Sequence, residues 1–111
     1  MIEIVRWESL TKNDVRVLEA RLKSYHQLAK AYKNRPKEWT DDYYRNVGII
    51  VNGITEAYNE CTALKQNIIK LSYWDIQEDK IIAEVLGVKV SHIKALRIEI
   101  LRLVANAIYH I

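Results

Sequence analysis

Glycine, proline and cysteine are nearly absent from this chain, which has three glycines, one proline and one cysteine in 111 residues. So little glycine and proline leaves few places for tight hairpins and argues for long helices. The single cysteine, Cys61, allows no internal disulfide, which suits a reducing, cytoplasmic setting. No run of about 18 apolar residues occurs, so no transmembrane span is expected. The first residues, Met-Ile-Glu-Ile-Val-Arg-Trp, lack the apolar stretch of a signal peptide.

Residue sets that carry chemistry are equally scarce. There is no Gly-rich phosphate loop. His26, His92 and His110 have no Cys, His or carboxylate partner at zinc-ligand spacing. Cys61 has no immediate basic or histidine neighbour and reads as a core residue on a helix. Asp41-Asp42 and Asp75, Glu78 and Asp79 stand at helix starts, where capping accounts for them. The aromatics Trp39, Tyr43, Tyr44, Tyr73 and Trp74 read as core or elbow packing. The expectation is a protein that is not an enzyme and takes no cofactor and no metal.

What is present is apolar periodicity and an uneven charge distribution. Half of the residues are apolar and 28% are charged, a balance that excludes a disordered chain. Residues 12–38 hold eight basic side chains against three acidic ones, residues 39–61 one against four, and residues 87–111 four against one. Two basic segments therefore flank an acidic one, and basic patches attract phosphate.

In chain order, Ile2, Ile4 and Trp7 suggest a short strand or a docked arm. Thr11 or Asn13 can cap a first helix, with Asp14 in its first turn. Val15, Leu18, Leu22, Tyr25, Ala29 and Tyr32 step by threes and fours, a seam that predicts one helix ending at Arg35-Pro36. Arg16, Lys23 and Lys30 step by seven beside it, a basic stripe offering phosphate contacts. After a connector at 37–40, Thr40 caps a second helix with Asp41 and Asp42 in its first turn. Asn52-Gly53 is locally a hairpin signal, but the apolar spacing runs on through it, so a helix with a close crossing at Gly53 is expected. Thr62 can cap a third helix over 63–73, and Asp75 with Glu78 resembles a capping box for the next. A boundary is expected near Cys61, with 1–61 a helical region and 62–111 a second unit.

That second unit carries the central pattern. Ile82, Ala83 and Leu86 make one apolar face, and Ile93, Leu96 and Ile100 another. Ala83 is small where two helices would cross. Gly87 stands where the chain must leave a helix with positive φ, and Val88 can fill the gap beneath the turn. This is the pattern of a helix-turn-helix, whose second helix enters the DNA major groove. On that second helix Lys89, Ser91, His92 and Lys94 gather at the N-terminal half, while Val90 and Ala95 offer apolar contact to thymine methyl groups. Arg97 and Arg102 lie further along, where they are expected to reach phosphates or the other strand. The last helix is expected to run from Val90 to the end, with a second apolar stripe of Ile98, Leu101, Ala105 and Ile108, so both its sides need cover.

From Thr62 onward, Ala-Leu-Lys-Gln-Asn-Ile-Ile-Lys-Leu-Ser-Tyr-Trp-Asp, then Ile-Ala-Glu-Val-Leu-Gly-Val and Ile-Lys-Ala-Leu-Arg, the chain resembles sigma-70 region 4. With its basic helical first part, it resembles small late-gene regulators of the RinA/ArpU type from phages of Gram-positive bacteria. The resemblance implies an all-α transcriptional activator of phage packaging, morphogenesis or lysis genes. It also implies double-stranded DNA as ligand, with Lys89, Val90, Ser91, Lys94 and Ala95 facing the groove, and host RNA polymerase as a possible partner. Val90 and Ala95 stand where that family carries polar residues, and the tail after Arg102 is apolar, which favours a homo-oligomer. A dimer joined through the C-terminal helix or the Val15–Tyr32 seam would suit a two-fold operator. Two other readings compete: a protein-interaction module that binds RNA polymerase or another regulator, and a small DNA-packaging subunit.

Overall fold

A computed structural model describes residues 10–109. The expected arm at Ile2, Ile4 and Trp7 lies outside the described residues, as does His110. The fold is all-α, with no strand among the described residues: α1 Lys12–Lys23, α2 Tyr25–Lys33, α3 Asp41–Glu60, α4 Ala63–Ile69, α5 Asp79–Leu86 and α6 Val90–Tyr109. A π-turn, Lys70–Trp74, continues α4.

The helix starts follow side-chain chemistry. Thr11 Oγ1 accepts from the Asp14 N–H at 3.0 Å and the Asp14 carboxylate accepts from the Thr11 N–H at 3.0 Å, a reciprocal capping box. Thr40 and Thr62 cap α3 and α4 in the simpler way. The box expected from Asp75 and Glu78 does not form. Glu78 is the N-cap of α5 without a side-chain bond, and Asp75 accepts instead from Lys70 Nζ at 3.0 Å. The reason lies in the π-turn, whose wider ring ends at Asp75 and leaves Ile76 in left-handed backbone (φ 52°). A β-branched residue is strained there, and α5 begins only at Asp79, three residues too late for Asp75 to stand at its N-cap.

The first predicted helix is two helices. Ser24 (φ −88°, ψ 0°) breaks it after Lys23. The Leu22 carbonyl, which in a continuous helix would accept from residue 26, accepts from the Trp74 indole N–H at 3.0 Å. With that rung taken, α1 packs its buried Leu18 and Leu22 towards α6 and the π-turn, while α2 packs along α3. Tyr25 secures the bend. Thr55 donates its hydroxyl proton to the Val51 carbonyl, so the Tyr25 hydroxyl donates to Thr55 Oγ1 at 2.6 Å. The chain leaves helix at Asn34, one residue before the Arg35-Pro36 stop.

Asn52-Gly53 is helical, as the apolar spacing predicts. A Cβ placed on Gly53 would lie 3.0 Å from Ile108 Cγ1 and 3.1 Å from the Ala107 carbonyl oxygen. The missing side chain lets α3 cross the far end of α6 at backbone contact.

A single core joins the two parts expected to divide near Cys61. It takes Leu18 and Leu22 from α1, Ile54 and Ala57 from α3, Ile68 and Ile69 from α4, Tyr73 from the π-turn and Ile82 from α5. The rest comes from α6, as Ile93, Ile100, Leu101, Val104, Ala105 and Ile108. The C-terminal helix, expected to pack under the N-terminal helices or against a second copy, takes the first course, and the buried part of the Val15–Tyr32 seam is covered within the same chain. A Gly53→Ala variant gains about 1 kcal/mol of helix propensity but pushes on α6 backbone, which cannot yield locally. Overpacking of this kind costs about 1–3 kcal/mol, so a net loss of stability is expected, read from the urea midpoint.

Candidate nucleic-acid interface

The site grows from the α5–α6 corner. The last turn of α5 closes on one acceptor, the Ala83 carbonyl, which takes the Gly87 N–H at 2.9 Å and the Val88 N–H at 3.1 Å. Gly87 is left-handed (φ 68°, ψ 34°), and a Cβ there would meet nothing within 4 Å. The demand for glycine is therefore a matter of backbone conformation and not of space. Val88 turns half inward under the corner, against the core with Ala83 and Leu86. Lys89 then opens α6, its carbonyl accepting from the His92 and Ile93 N–H groups at 3.0 and 3.1 Å.

α6 starts without an acidic residue in its first turn. The positive end of the helix dipole and the side chains of Lys89 and Lys94 therefore add rather than cancel. Lys89, Ser91, His92, Lys94 and Ala95 are all exposed. The sequence-predicted set is in this respect brought together, at one end of one helix. Val90 departs from it. It is half-buried, on the stripe it shares with Arg97 and Leu101, which faces the protein.

Arg97 departs more sharply. Its guanidinium takes Asp79 in a two-pronged ion pair, Nη2 to Oδ1 at 2.5 Å and Nη1 to Oδ2 at 3.3 Å, and Nη2 also donates to Ser72 Oγ at 3.1 Å. It clamps the first residue of α5 to α6 and to the π-turn and is not displayed for phosphate. The hydrogen bond from Arg97 holds the Asp79 carboxyl below its usual range, against a smaller opposing effect of burial. Behind this clamp the Tyr73 phenol donates to Glu19 Oε2 at 2.8 Å. Burial pushes that phenol far up, so it is a neutral donor bridging α1 to the π-turn.

Arg102 is half-buried further along α6. Arg16, Lys23 and Lys30 are exposed, Arg16 donating to Asn13 Oδ1 at 2.7 Å. The break at Ser24 takes Lys30 off the line of Arg16 and Lys23. One residue that pattern reading buried is open: Ile98 is 39% exposed, whereas Leu101 and Ala105 of the same expected stripe are at 0%. The α3 crossing at Ala107–Ile108 lies roughly 14 Å further along α6, so the cover ends before Ile98. No spacing rule could have shown this, because the stripe is regular and only its cover stops. Cys61 is half-buried at the end of α3, and burial pushes its thiol up. No group of three or more His, Cys, Asp or Glu side chains suited to a metal occurs among the described residues, and no described helix is long and apolar enough to cross a membrane.

Comparison with protein-family models, with curated proteins and with solved structures gives no match to this chain.

Two outcomes check the corner. Asn at position 87 should be tolerated, whereas Gly87→Val should cost about 1–2 kcal/mol in thermal unfolding, because only the former adopts left-handed backbone readily. For the clamp, the folded-state pKa of Asp79 lies below its unfolded value of about 4. Its contribution is thus complete above pH 4 and is lost as pH falls through the folded pKa. Urea midpoints of wild type and Asp79→Asn should differ at pH 6 and converge towards pH 2.

Proposed function

We propose that this protein is a sequence-specific DNA-binding transcription regulator that sets the N-terminal half of α6 in the major groove. The observation that carries the reading is the α5–Gly87–α6 corner. It holds Lys89, Ser91, His92 and Lys94 exposed together, with no acid in the first turn of α6. Lysines meet phosphate, Ser91 donates to phosphate or a base edge, and the positive end of the α6 dipole adds to the attraction. Glu99, the acid further along α6, is held aside by Lys65 Nζ at 3.0 Å. The basic residues Arg16, Lys23 and Lys30 extend the phosphate contacts. The likeness to RinA/ArpU-type regulators gives the biological setting, activation of late phage genes in a bacterial host.

A second reading, a module that docks on RNA polymerase or another regulator, is favoured by the outer edge of α5. There Ile81 and Val85, one turn apart, are 39% and 63% exposed. The two readings combine in an activator that holds DNA with α6 and polymerase with α5.

Selection of duplexes from a random pool, followed by anisotropy titration over a salt series, tests the proposal. Affinity should fall steeply with salt, and replacing Lys89 and Lys94 by alanine should weaken binding and flatten the log–log slope by about one per lysine. A selected site with two-fold symmetry and half-sites one helical turn apart would mark a dimer. Failure to enrich any duplex, or a slope untouched by both substitutions, would sink the proposal.

A further inference from the structure

We infer that base selection is made by apolar contact, and that the preferred ligand is a duplex whose thymine 5-methyl groups line the major groove opposite Ala95 and Ile98. This rests on the DNA-binding reading above and says which duplexes that site takes. Ser91, Ala95, Ile98 and Arg102 recur at intervals of four, three and four, so they share one stripe of α6. Ser91, Ala95 and Ile98 are exposed and Arg102 is half-buried. Within this stripe an isoleucine stands open at 39%, although Ile100 and Leu101 beside it on the same helix are fully covered.

Side chains that read guanine or adenine through two hydrogen bonds are arginine, asparagine and glutamine. None is exposed between Lys89 and Ile98. The one arginine in that span, Arg97, faces inward and has its guanidinium on Asp79 and Ser72. The exposed chemistry is two lysines, a serine and a histidine around two apolar groups. The lysines supply attraction to the phosphates, and lysine also reaches guanine, but an alanine and an isoleucine complement one feature of the major groove, the thymine methyl. Ala95 and Ile98 are about 4.5 Å apart along the helix, against about 3.4 Å per base pair, so their methyl contacts fall on neighbouring base pairs.

Uracil lacks only the 5-methyl group of thymine, so single replacements in a duplex recovered by random-pool selection isolate the contact. At one or two positions each lost methyl should weaken binding about fourfold, the effect of uncovering one buried carbon, with the salt slope unchanged. Ile98→Ala, at an exposed position, should abolish the penalty at one of them, and Ala95→Ser should reduce it at the other. Uracil duplexes bound as tightly as thymine ones at every position would overturn the inference and leave DNA binding standing. A penalty unaltered by both variants would also overturn it. Absence of binding to any duplex would overturn the reading beneath it as well.

Discussion

A twenty-residue helix with apolar side chains over most of its circumference must find cover on most of its sides, and in this chain that helix is α6. α3 crosses its far end at Gly53, α1 and α4 lie along it, and α5 folds back on its beginning. Ile93, Ile100, Leu101, Val104 and Ala105 are buried to 1% exposure or less. Burying an isoleucine, leucine or valine side chain stabilises by about 1.5–3 kcal/mol, so these contacts outweigh any surface ion pair in the molecule. The helices before α6 are arranged so as to supply that cover.

Where apolar cover stops, polar connections set the angles. Arg97 and Asp79 join α5 to α6, Ser72 ties both to the π-turn, and Tyr73 passes the connection to Glu19 on α1. The Trp74 indole completes it by taking the Leu22 carbonyl, at the expense of a continuous first helix. Within the π-turn, Ser72, Tyr73 and Trp74 turn to three different partners. The strain at Ile76 accompanies this. The same clamp shapes the surface: an arginine drawn inside leaves the outer stripe of α6 to Ser91, Ala95 and Ile98.

The exposed start of α6 is therefore a by-product of how the rest of the helix is covered. Its far half is occupied by α3, its inner side by α5 and the clamp, and its near end projects with lysines and no acid. That arrangement suits insertion into a groove lined by phosphate. In the proposed complex with DNA, affinity would rest on charge and selection on shape and apolar contact.

Much of this was legible in the residues alone. Threonine caps at 11, 40 and 62, the glycine corner at 87 and the continuation of helix through Asn52-Gly53 all follow from local chemistry, which acts within a turn or two of chain. The fold class follows from apolar spacing and from the scarcity of glycine and proline. The π-turn was not legible, nor were the break at Ser24, the inward Arg97 and the open Ile98, and each of these last three has a cause distant in sequence. Trp74 takes a carbonyl 52 residues away, Asp79 captures an arginine 18 residues on, and the crossing at Gly53 decides where the cover of α6 ends. Residue periodicity shows which side chains can be buried or displayed. Which of them are is decided by partners brought together only when the helices pack.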